Sequence, residues 1–90
     1  MARFEVLIKA SAAKEIEDIA NRRDRRRIVE RIRSLGDEPR PPGCQKLSGQ
    51  DKYRVRQGVY RIVYSVHDKV LVVQVIKVGH RSDVYRGRAG

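Results

Sequence analysis

The sequence predicts a small α+β domain in the order β-α-α-β-β-β, with an N-terminal strand and a helical hairpin packed on an antiparallel-rich sheet. Three observations lead there. Apolar residues alternate near both ends of the chain, they recur at helical spacing between residues 12 and 35, and a Pro/Gly-rich stretch separates the two regimes. At 90 residues the chain has room for one such core, because domains typically take roughly 100–150 residues. Residues 1–90 therefore read as one domain.

The elements follow in order. Arg3 to Lys9 alternates, with Phe4, Val6 and Ile8 on one face of a strand. Ser11 reads as the N-cap of a first helix, in which Ala12, Ile16, Ile19 and Ala20 recur up to about Asn21. Asp24 reads as the cap of a second helix with the stripe Ile28, Val29, Ile32 and Leu35. Gly36 ends that helix, with Pro39 three residues on. Residues 36–52 carry all three prolines and three of the seven glycines, as a loop does. Tyr53 and Val55 then alternate with Arg54 and Arg56, and Gly58 marks a turn. Tyr60, Ile62, Tyr64 and Val66 alternate with Arg61, Val63 and Ser65. His67-Asp68-Lys69 connects to Val70–Val78, an apolar, β-branched run suited to a central strand that Gly79 ends.

Charge narrows the function. The chain carries 21 Lys+Arg against 11 Asp+Glu, a formal +10. The excess lies in two blocks: seven arginines against Asp24 and Glu30 in residues 22–33, and nine basic residues against Asp68 and Asp83 in residues 52–90. Concentrated positive potential points to a polyanion, with nucleic acid first. Neither block has the Trp/Phe/Leu stripe of an interfacial helix, and Val70–Ile76 is far shorter than the roughly 20 residues of a membrane span, so no membrane is expected. There is no apolar segment of secretory type behind the first basic residue, and one cysteine, Cys44, forms no internal disulfide. The cytoplasm is the expected compartment.

Alternation places Arg54, Arg56 and Arg61 on the sheet face away from the helices, as a cradle for phosphate. Lys77, on the last strand, joins this phosphate-binding set. His80 follows that strand, among cations that would keep it neutral, and is the candidate proton acceptor beside Arg81. Tyr85, in a polar tail, is placed to stack on a base or donate its hydroxyl. Arg22, Arg23, Arg26 and Arg27 offer a second contact with nucleic-acid backbone. Tyr53, Tyr60 and Tyr64 belong to the core, and His67 to a turn. Two histidines without a carboxylate ligand pattern build no metal site, and no cofactor is implied.

The segments Leu47-Ser48-Gly49, Tyr53-Arg54-Val55-Arg56, Tyr60-Arg61-Ile62-Val63-Tyr64, Val78-Gly79-His80-Arg81 and Asp83-Val84-Tyr85 together resemble the RelE/ParE toxin superfamily, closest to its RelE branch. The resemblance covers nearly the whole chain. It implies a RelE-like fold and a toxin of a type II toxin–antitoxin system, held inactive by an acidic, RelB-like antitoxin. The implied activity is metal-independent endoribonuclease cleavage of mRNA in the ribosomal A site, by attack of the RNA 2′-hydroxyl on the adjacent phosphate. On this resemblance the active-site cations fall on Arg54, Arg56, Arg61 and Arg81, and the functional tyrosine on Tyr85.

One departure has chemical weight. RelE toxins carry lysines where this chain has Arg54 and Arg56, and a guanidinium is not a base at neutral pH. Either His80 accepts the proton or electrostatic stabilisation carries most of the catalysis. Two other functions compete: a ParE-like toxin that blocks DNA gyrase without cutting RNA, and a non-catalytic RNA-binding module.

Overall fold

Alternating β-branched and aromatic residues build one five-stranded sheet, and two amphipathic helices cover one of its faces. The computed structural model describes residues 3–47 and 51–80. The elements are β1 (Glu5–Ile8), α1 (Ala10–Glu17), α2 (Arg22–Ser34), β2 (Gln45–Lys46), β3 (Lys52–Gln57), β4 (Tyr60–His67) and β5 (Val72–His80). Their order in the sheet is β1-β5-β4-β3-β2; β1 runs parallel to β5 and the other pairs are antiparallel. The predicted class and order hold, with one addition. Within the stretch read as loop, Gln45 and Lys46 pair with Arg54 and Tyr53 as a short edge strand.

The core forms where both periodicities meet. Ala12, Ile16, Ile19, Ile28, Ile32 and Leu35 of the helical layer are buried against Tyr53, Val55, Ile62, Tyr64, Val66, Val73, Val75 and Val78 of the sheet. A register shift keeps β5 in phase with this core. Val63 faces Lys77 while Tyr64 faces Val75, so Ile76 is the extra residue and Val78 returns inward.

Several local expectations are corrected. Ser11 is exposed inside α1, whose N-cap is Lys9. The helix ends at Glu17, not near Asn21, and Ile19 is buried just beyond it with its N–H on Ile16 O at 3.1 Å. Asn21, not Asp24, caps α2: its Oδ1 accepts the Asp24 N–H at 3.0 Å, which leaves Asp24 in the first turn. Ile8, at the end of an edge strand, is 41% exposed and not a core residue. Val70 and Leu71 belong to the turn before β5, because Glu5 N–H bonds Leu71 O at 2.8 Å and β1 pairing begins at Val72.

Two glycines have steric reasons. Gly36 follows the end of α2 where the chain touches β1: Phe4 N–H donates to Gly36 O at 2.8 Å, and a Cβ there would meet Phe4 O at 3.0 Å. Gly58, at φ +62°, makes the tight turn that sets β3 against β4.

The proline loop is pinned at two adjacent residues, Pro39 and Arg40. Tyr64 Oη donates to Pro39 O at 2.7 Å. Arg40 donates to Tyr53 Oη at 2.8 Å and grips both oxygens of Asp68 at 3.0 and 2.8 Å. Its guanidinium carbon also lies 5.1 Å from the centre of the Tyr53 ring, which stacks on Tyr64.

Candidate nucleic-acid interface

Tyr53 and Val55 point into the core, so the alternating Arg54 and Arg56 emerge on the sheet face away from the helices. The β3–β4 register then sets Arg56 opposite Arg61 and Arg54 opposite Val63. The three arginines expected together do share one face. Their settings differ. Arg56 is exposed; Arg54 is half-buried and donates to Gln45 Oε1 on β2; Arg61 is buried at 7% exposure, as is Ser65, four residues further along the same strand. The cradle thus consists of one open arginine beside two held ones. Held guanidiniums lose less freedom on gripping a phosphate, which favours a defined binding geometry.

The remaining candidates separate. Lys77 stands opposite Val63, but its ammonium reaches Glu15 on α1 at 2.9 Å and is not presented beside the arginines. His80 is not brought to the arginine face. It pairs with Tyr60, whose side chain packs against the core, while Arg61 pairs with Gly79. The His80 ring meets Tyr60 edge-on at 5.9 Å and lines an open cleft of about 430 Å³ on the helical side, with Asp18 and Ile19. Strict alternation from Arg61 across the pair is the reason: neighbours in a strand point to opposite faces. Arg81 and Tyr85 lie outside the described residues.

On α2, Arg22, Arg23, Arg26 and Arg27 are exposed, as a second backbone contact requires. Arg25 is committed elsewhere, donating to Ile19 O at 2.9 Å across the helical connection. Arg27 and Asp24 meet Gln57, Gly58 and Tyr60 in a small hollow, so one end of the α2 cation row abuts the turn that carries Arg56 and Arg61.

Sequence reasoning missed Gln45, Arg40 and Glu15. Gln45 sits in a stretch whose composition signals only loop, and its contact with Arg54 exists because β2 pairs with β3. Arg40 depends on a turn 28 residues away. Among the described residues, no three His, Cys, Asp or Glu side chains cluster to hold a metal, and no helix is long and apolar enough to cross a membrane.

Solved structures with this chain path include RelE toxins. A chain of the toxin–antitoxin complex RelBE2 from Mycobacterium tuberculosis matches with a TM-score of 0.79, covering 92% of this chain and 97% of that one at 24% identity. The RelE–RelB complex from Pyrococcus horikoshii matches at 0.76, with 30% identity over 90% of this chain and 97% of that one. A free-state double mutant of Escherichia coli RelE matches at 0.74, with 32% identity over 96% and 93%. By sequence, a RelE-like toxin protein of E. coli is 29% identical over 87 residues, 92% of this chain and 90% of the relative. Fold and basic face thus define a small toxin of the RelE/ParE superfamily. The model for the ParE toxin of type II toxin–antitoxin systems matches residues 6–85, and the chain belongs to that family.

Proposed function

We propose that this toxin is a ribosome-dependent endoribonuclease that cleaves mRNA in the A site and so stops translation. The observation that carries the proposal is the in-register placement of Arg54, Arg56 and Arg61 on one sheet face, a pattern suited to gripping successive phosphates. The RNA 2′-hydroxyl attacks the adjacent phosphorus and gives up its proton to water, the bond to the 5′-oxygen breaks, and that oxygen takes a proton from water, which leaves a 2′,3′-cyclic phosphate and a 5′-hydroxyl. Arg61, with Arg81, neutralises charge on the pentavalent phosphorane, and Tyr85 orients the scissile nucleotide. No metal takes part.

His80 stands across the sheet from Arg61, and no guanidinium accepts a proton at neutral pH. Between the two routes left open by the sequence, this geometry favours electrostatic stabilisation of the phosphorane over His80 as base. Arg22, Arg23, Arg26 and Arg27 hold a second stretch of RNA backbone. The inhibitor is an acidic RelB-like antitoxin in the cytoplasm. Solved relatives form RelB–RelE complexes, and a +10 toxin pairs favourably with an acidic chain.

Primer extension on message after a brief pulse of expression tests the reading. Codon-spaced 5′ ends that depend on translation are the expected result. A second reading, inhibition of DNA gyrase, has the ParE family match in its favour. Intact message together with a DNA-damage response would select it over cleavage.

A further inference from the structure

The outer edge of β5 is covered by β1 only as far as Val75. Ile8 pairs with Val75, and Lys9 N–H closes on Val75 O at 2.9 Å. Past the extra residue Ile76, β5 runs on to His80 with β4 on one side and, among the described residues, no strand on the other. An open edge presents backbone N–H groups that need acceptors. Helix α1 supplies one. Glu15 Oε1 accepts the Val78 N–H at 2.9 Å, and Oε2 accepts from Lys77 Nζ at 2.9 Å. Both bonds are charge-assisted, and the Glu15 side chain is only 31% exposed.

The segment held this way lies beside the arginine site. Lys77, Val78 and Gly79 stand opposite Val63, Ile62 and Arg61. Register gives Lys77 to the arginine side of the sheet, yet its ammonium ends on α1. We propose that Glu15 is a positioning residue for the arginine face: its carboxylate clasps the segment of β5 that β1 does not reach, beside Arg61, and holds Lys77 out of the phosphate-binding set. The clasp stands on geometry alone; its consequence for RNA rests on the proposed function.

Two substitutions divide the two tasks. Glu15→Gln keeps an acceptor for Val78 and gives up the charge that holds Lys77, while Glu15→Ala removes both. Amide hydrogen exchange at Val78, measured on the full chain without RNA, should stay protected in Glu15→Gln and speed up roughly fivefold or more in Glu15→Ala, as loss of one hydrogen bond implies. Binding to mRNA-programmed ribosomes should depend more steeply on salt in Glu15→Gln, by about 0.7–0.9 in log–log slope, because one more cation reaches phosphate. Adding Lys77→Met to Glu15→Gln should remove that increment. In cleavage assays Glu15→Ala should lower kcat roughly tenfold or more, and Glu15→Gln should restore it, since small misplacements of charged groups are costly. Unchanged Val78 exchange in Glu15→Ala would overturn the clasp. A salt slope unmoved by Glu15→Gln, in a chain that does bind ribosomes, would overturn the role of Lys77. Failure of the wild-type chain to bind ribosomes would count against the RNA reading only, and Val78 exchange would still decide the clasp.

Discussion

Arg56 and Arg61 stand directly opposite each other across the β3–β4 hairpin, two like charges at a paired position of an antiparallel ladder. Like charges placed directly opposite each other destabilise a sheet. A fold selected for stability alone would not place them there. Arg56→Thr should therefore raise the urea midpoint slightly while weakening ribosome binding. Equal or lower stability in the variant would show that the pair carries no strain of charge.

Arg61 and His80 differ by one register step, and that step puts their side chains on opposite faces. Arg61→Ala should cut the cleavage rate about a hundredfold or more, the usual loss when a donor to developing charge is removed. His80→Ala should keep the rate within a few-fold, with the pH profile unchanged. Single-turnover cleavage on programmed ribosomes measures both, with circular dichroism confirming that each variant is folded. A loss of 10²-fold or more in His80→Ala, typical of a missing general base, would return that role to histidine.

Tyr64 sets an alkaline limit on stability. Burial, with the Cys44 thiol beside it, raises the pKa of its hydroxyl above the ordinary tyrosine value of ~10. In the unfolded chain the phenol ionises near ~10, whereas in the folded protein it stays protonated to higher pH. The stability it contributes is thus fully present below pH ~10 and is lost as pH rises through the folded value. Tyr64→Phe should flatten this alkaline limb of a thermal-denaturation profile. It should also cost about 1 kcal/mol near neutral pH, because Pro39 O loses its donor.

Gly36→Ala should destabilise by about 1–3 kcal/mol, as overpacking does. The added methyl meets Phe4 O at 3.0 Å and Val6 Cγ2 at 3.2 Å, and Phe4 is itself tied to Gly36 by the backbone bond. Urea unfolding gives the number directly. A Gly58→Ala variant makes an instructive contrast, because its strain comes from a positive φ in open space and not from contact.

The sequence by itself determined the class, the order of every element except β2, and the shared face of Arg54, Arg56 and Arg61. Those properties follow from periodicity: a period of two assigns faces without reference to any distant residue. The core was equally legible, since Ile28, Ile32 and Leu35 on α2 and Ile62 and Tyr64 on β4 carry their own spacing. Helix ends were less legible, because Ser11, Asn21 and Asp24 all have capping chemistry and only the chain path selects Asn21. The tertiary structure alone decided which cations are available. The bulge at Ile76 breaks the alternation of β5, and the path of α1 brings Glu15 to Lys77, 62 residues away in sequence. Likewise β2 exists only through β3, and with it the contact of Gln45 with Arg54. Register between strands, and the partners it brings to each charge, depend on pairings distant in the chain, which no local pattern encodes.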